Sequence, residues 1–306
     1  MEVFIQRAVM DSLPIVLVRD TPALTAEHSI PLTKAMISNR SEDHGQGDPW
    51  FASRGAEGAN EAAGLRLTGG GGHQSKTMML SELTTILAVS EVRGLNETIS
   101  AILSENLLGK SSTAASSSAL KNLFSLYGLK APPAITRAMM RLWAGDANSH
   151  PILAVLCALA RDPILRDTAL PVLSAPIGQR FGAKELTEIL TDKHGDRFSF
   201  ATLRSLGQNC AATWTQSGHL AGKVTKVRTQ VEASPEAAAF AALIAQAAGF
   251  GGPTVLTSPW MAVLDASPEE QLGLLRRAQG RGLVRVRHAG AVFELQISPE
   301  LTAEFA

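Results

Sequence analysis

Residues 267–297, SPEEQLGLLRRAQGRGLVRVRHAGAVFELQI, decide the fold class of this chain. Ser267 can cap a helix whose first turn carries Glu269 and Glu270 and whose last turns carry Arg276 and Arg277. That charge order complements the helix dipole. The apolar period then drops from helical to two. LVRVR and AVFELQI are alternating runs joined by a short Gly-containing loop, which predicts a β-hairpin. Alternation puts Arg285 and Arg287 on one face of the first strand and Val284 and Val286 on the other. Immediately upstream, AAAFAALIAQAAGF (237–250) predicts a helix and residues 258–265 a shorter one. Helix, helix, hairpin is the chain order of a winged helix.

Working towards the N-terminus, the pattern stays helical. Ser199 is placed to cap the stretch FATLRSLGQNCAATWTQSGHL, in which Phe200, Leu203, Leu206, Cys210 and Trp214 follow the helical period. Residues 151–161, 163–173 and 184–191 predict short helices. Leu120, Leu123, Phe124 and Tyr127 mark another, stopped by Gly128. Ile99, Ile102, Leu103 and Leu107 mark one more, and Leu83, Ile86 and Leu87 the first. The expected fold is therefore mainly α, with tandem helix-turn-helix or winged-helix modules and a C-terminal β-hairpin wing. Residues 1–72 read as a poorly ordered leader, because segment 38–64 is rich in Gly, Ser and charge and lacks apolar periodicity. Residues 69–72 read as its flexible joint. Three further parts are expected: a helix-turn-helix-like domain at 73–148, a helical domain at 149–231 and a winged-helix-like domain at 232–306.

Composition limits the function classes. With 28 basic and 28 acidic residues the net charge is zero, so only local charge can argue for a nucleic-acid partner. Two cysteines, Cys157 and Cys210, lie in apolar surroundings and read as buried thiols of a reducing, cytoplasmic compartment. No apolar run approaches the roughly 18 residues of a membrane span, and no membrane partner is expected. The most enzyme-like stretch is GGGHQSKT (70–77), a near match to a phosphate-binding P-loop. Ser75 stands where that loop needs a second glycine so that successive N–H groups can face phosphate. The seven histidines (28, 44, 73, 150, 194, 219 and 288) show no metal-ligand spacing. The expectation is a protein that is not an enzyme and holds no metal or cofactor.

Local charge points elsewhere. From Phe198 to Val231 the basic residues are Arg204, Lys223, Lys226 and Arg228, and no acid interrupts them. From Gln271 to Gly290 there are Arg276, Arg277, Arg281, Arg285 and Arg287, again without an acid. A wing with paired arginines can reach phosphates or a minor groove. A further candidate surface is SSTAASSSALKN (111–122), which opens the third helix of a three-helix set. Its Ser112, Thr113 and Ser116 would allow close approach to a duplex, with Lys110 and Lys121 adding charge. Base-reading side chains are sparse on the candidate helices, with Gln208, Asn209 and Gln216 the exceptions, so low sequence specificity is expected.

GGHQSKTMMLSELTTILA (71–88), ENLLGKSSTAASSSALKNLFSLYGL (105–129) and FSFATLRSLGQNCAATWTQSGHL (198–220) resemble the BrxA family of bacteriophage-exclusion (BREX) systems over roughly residues 70–225. The matching positions are Glu105, Asn106, Leu107, Leu108, Lys110 and Thr113, then Ser199, Thr202, Leu203, Arg204, Gly218 and Leu220. The leader and the segment after about residue 232 depart from the family pattern. The resemblance implies a small helical protein with helix-turn-helix modules that binds DNA as a non-catalytic accessory in phage defence. Its neighbours there would be a methyltransferase, a phosphatase-like protein and an ATPase. The alternative expectation is a protein–protein scaffold that holds the methyltransferase or the ATPase of the same system.

Overall fold

In the computed structural model the described residues are Phe51, 57–66, 72–289 and 292–303. Two helices that are apolar on every side form its centre. One, α6 in the order below, spans His150–Arg161, and Ile152 to Ala160 are all buried. The other, α11, spans Pro235–Ala247 and buries every residue from Pro235 to Ala245. A helix with no polar face is stable only when surrounded, and the remaining elements surround these two.

In chain order the preceding helices are α1 (Glu57–Ala63), α2 (Leu80–Arg93), α3 (Leu95–Ser104), α4 (Thr113–Tyr127) and α5 (Ala134–Trp143). Ser112 caps α4 through its Oγ, and Gly128 ends it in the left-handed region at φ 70°. After α6 come α7 (Pro163–Asp167), capped by Asp162, and α8 (Ala169–Ser174). Then α9 (Ala183–His194) and α10 (Phe200–Gln216) pack side by side and lead into a small hairpin, β1 (Leu220–Ala221) and β2 (Val227–Arg228). The register is Leu220↔Arg228 and Ala221↔Val227, and Arg180 bridges the other edge of Val227.

The order repeats after α11. Helices α12 (Pro259–Ala262) and α13 (Pro268–Gly280) pack on α11, and β3 (Val284–Ala289) and β4 (Val292–Ile297) form an antiparallel hairpin against α13. A reciprocal Ser267–Glu270 capping box starts α13. Pairing runs from Val284↔Ile297 to Ala289↔Val292. The expected loop is His288–Gly290, but His288 and Ala289 belong to β3, and residues 290 and 291 lie outside the described residues. A last short helix, α14 (Pro299–Thr302), packs on α5. The protein is thus mainly helical with a two-stranded antiparallel hairpin near its C-terminus, as the sequence predicts.

Two expectations are corrected. Residues 57–66 are not part of an irregular leader: α1 is helical, and Phe51 and Leu65 are buried in the core. What holds this segment is a pair of buried arginines. Arg161 Nη1 donates to Gly64 O at 3.0 Å, and Arg166 Nη2 donates to Arg66 O. Nothing in the local sequence of 57–66 announces partners a hundred positions away. The rest of the expected leader lies outside the described residues. The second correction concerns the division at 148/149 and 231/232. Helix α6 touches α2, α4, α5, α10 and α11, and the buried residues from Phe51 to Leu301 form one continuous core. The three segments do not have separate cores. Cys157 and Cys210 are buried and unbridged. No helix among the described residues is long and apolar enough to cross a membrane.

Candidate nucleic-acid interface

The α9–α10–hairpin unit carries the most coherent exposed surface. Ser199 Oγ accepts the N–H of Thr202 at 3.3 Å, which starts α10 at Phe200. The inward side of α10 is Leu203, Leu206, Gly207, Cys210, Ala211 and Trp214. Gly207 is obligatory for the close approach of α9, because a Cβ there would lie 2.2 Å from Thr187 Oγ1 and 2.8 Å from Ala183 O. With that side fixed, Phe200, Ala201, Arg204, Ser205 and Gln208 form an exposed stripe on the opposite side. Phe200 departs from the apolar face the sequence assigned it and is 70% exposed. The period alone could not tell the first residue of the helix from a core position.

The β1–β2 turn completes this surface. Gly222 has φ 109°, and a Cβ there would meet Thr225 O at 2.1 Å, so the tight turn needs glycine. Lys223, Val224 and Thr225 are exposed at its tip. Lys226 is not a free charge. Its Nζ donates to Thr215 Oγ1 at 2.8 Å and to Gly222 O at 3.1 Å, bracing the turn against α10.

Arg228 corrects the sequence reading most sharply. Its side chain is buried and pairs with both carboxylate oxygens of Asp265, while Nε donates to Val172 O at 2.8 Å. It joins the two helix–helix–hairpin units and cannot reach a phosphate. Beside it, His219 Nε2 donates to Val263 O at 2.9 Å, and its ring stands edge-on to Trp214. Burial pushes the His219 pKa down to about 4, outweighing the nearby Asp265 carboxylate. Asn209 and Gln216 also turn inward. Asn209 Nδ2 donates to His73 O at 2.8 Å and Gln216 Oε1 accepts the N–H of Leu80 at 3.0 Å. Of the three amides considered as base readers, only Gln208 is exposed.

The turn between α3 and α4 is built from Glu105, Asn106 and Lys110. Asn106, at φ 50°, accepts the Lys110 N–H and donates to the Lys110 O, both at 3.0 Å. Glu105 pairs with Arg93 at 2.8 Å, and Lys110 Nζ pairs with Glu82 at 2.6 Å. Ser116 is buried and lies 3.3 Å from Asn106 Oδ1. Lys110 and Ser116 therefore close the turn instead of facing a ligand, and Ser112 spends its oxygen on the Ala115 N–H. Thr113 and Lys121 are exposed on α4.

The C-terminal unit presents a divided surface. Glu269 and Glu270 are exposed on the first turn of α13, and Arg276 and Arg277 near its end. Arg281 pairs with the buried Glu236. Arg285 and Arg287 are exposed on β3, opposite Gln296 and Glu294, and Arg287 lies 3.9 Å from the Glu294 carboxylate. Val284 is buried behind them, as the alternation predicts.

The near P-loop folds into something else. Gly70 and Gly71 lie outside the described residues, Gly72–Gln74 is a short 3-10 turn, and among the described residues no strand precedes it. His73 is fully buried. Its Nδ1 lies 2.7 Å from Asp162 Oδ2 and its Nε2 2.7 Å from Thr213 Oγ1. Burial favours the neutral Asp162 carboxyl, but attraction to His73 and hydrogen bonds from it and from Leu165 hold the pKa below the usual carboxylate range. The order Thr–His–Asp resembles a nucleophile triad, yet Thr213 is wholly buried and already accepts the Met78 N–H at 2.9 Å. This network sews residues 72–80 onto α10. No local motif signals it, because its members are 51 to 140 positions apart.

No protein-family model matches the chain, and no curated protein matches it.

Proposed function

We propose that this protein binds double-stranded DNA with low sequence specificity through tandem winged-helix modules. In this reading α9–α10–β1–β2 and α11–α12–α13–β3–β4 are the two modules, α10 and α13 are their recognition helices, and the hairpins are their wings. The observation that carries the proposal is the exposed stripe of α10 with the Lys223 turn beyond it. Arg204, Ser205 and Gln208 supply phosphate and base-edge donors there, and residues 198–231 contain no acid. Arg285 and Arg287 add backbone contacts from the second hairpin. The resemblance of residues 70–225 to the BrxA family supports the same reading and extends it to a non-catalytic, cytoplasmic accessory of a phage-defence system. A gel shift with mixed-sequence duplex tests it: a complex at about 50 mM salt that weakens steeply as salt rises is expected.

A second reading, a scaffold for the methyltransferase or ATPase of such a system, is favoured by one observation. Net charge is zero, and Lys110, Lys226, Arg228 and Arg281 are occupied within the protein. A complex recovered by pull-down and unchanged by nuclease and high salt would favour it over DNA binding.

A further inference from the structure

Phe200 is the only Phe, Tyr or Trp among the described residues that is exposed, at 70%. Its neighbour Phe198 is half-buried against the core, with the Arg197 guanidinium 4.9 Å from its ring. Phe200 shares its stripe with Arg204 and Gln208, at spacings of four and eight residues along α10. Eight residues of helix rise about 12 Å, close to the width of a major groove. Side chains at a helix start lean back towards its N-terminus, and Phe200 is the first residue of α10. An exposed aromatic ring in one stripe with Arg204, Ser205 and Gln208 does not suit a phosphate. It suits the one apolar feature of a major groove, the C5-methyl of thymine.

We infer that Phe200 is a specificity-determining residue that packs on thymine methyl groups in the major groove. The inference rests on the DNA-binding reading and deepens it. Sequence preference, weak as it is, would come from this apolar contact and favour T-containing tracts, while Arg204 and Lys223 supply affinity regardless of sequence. The exposure of Phe200 is then functional: the side chain is left out of the core to be covered by the duplex.

The test compares an alternating A·T duplex with the same duplex in which every thymine is replaced by deoxyuridine, which removes only the methyls. Wild-type protein is expected to lose roughly four-fold in affinity per contacted methyl on the deoxyuridine duplex. Phe200→Ala should bind both duplexes equally, Phe200→Leu should keep part of the difference, and Arg204→Ala should weaken both alike. Wild-type protein that binds both duplexes equally, or Phe200→Ala that keeps the full difference, overturns the inference while leaving DNA binding intact. Absence of binding to either duplex overturns the DNA reading itself and the inference with it.

Discussion

His219 is a single imidazole on which the junction of the two units depends. It is buried between Trp214 and the Val263 carbonyl, and its pKa is pushed down to about 4 from an ordinary 6.5. The unfolded chain therefore binds a proton there that the folded chain refuses. Stability from this site is fully present above about pH 6.5 and is lost as pH falls towards about 4, by about 3 kcal/mol in all. Chemical denaturation across that window should show His219→Gln less stable at neutral pH but flatter by about one proton. A variant with the wild-type slope would remove His219 from this role. On the outer face Arg204 is exposed, and the proposed function gives it a phosphate contact. Arg204→Ala should weaken binding alike on all sequences and reduce the salt slope by about one, measured by anisotropy titration. The sequence marks Arg204 and Arg228 equally as basic residues of an acid-free stretch. Only the position of Asp265, 37 residues further on, separates a surface cation from a buried one.

At the scale of elements, the pairing of α9 with α10 decides whether the exposed stripe is presented at all. Their contact has no room for a methyl group at Gly207. Gly207→Ala should push the helices apart and cost about 1–3 kcal/mol, since overpacking is resisted as firmly as cavity formation. Thermal unfolding checks this, and unchanged stability would contradict the tight contact. The helices themselves are legible in sequence, because Ser112, Ser199, Ser234 and Ser267 each sit at a cap and the apolar period follows. The β3–β4 hairpin is legible because it alternates over six residues a strand. The β1–β2 hairpin has only two residues a strand, too few for alternation to register, so residues 149–231 read as helical throughout. Its glycine at 222 is a faint signal that only the fold makes meaningful.

For the whole molecule, net charge is a poor guide because so many charges are internal. Arg161, Arg166 and Arg228 are buried cations that hold the chain together, Asp265 pairs with Arg228, and Glu82 and Glu236 pair with Lys110 and Arg281. Arg276 and Arg277 are exposed on α13, and the set assigned to phosphate in the proposed function is Arg204 and Lys223 on the first helix–helix–hairpin unit and Arg285 and Arg287 on the second. The order of the second unit can be read directly from residues 237–297. Its continuity with the first, through a shared core and the Arg228–Asp265 pair, cannot, because long-range contacts leave no local pattern. If both units lie on one duplex, those four cations make four phosphate contacts. The most direct test is the affinity for mixed-sequence duplex DNA measured across a range of salt concentrations. The predicted result is a linear fall of log affinity with log salt, with a slope of about −3.6 for four contacts. The contradicting result is no binding at about 50 mM salt, or an affinity that salt does not change.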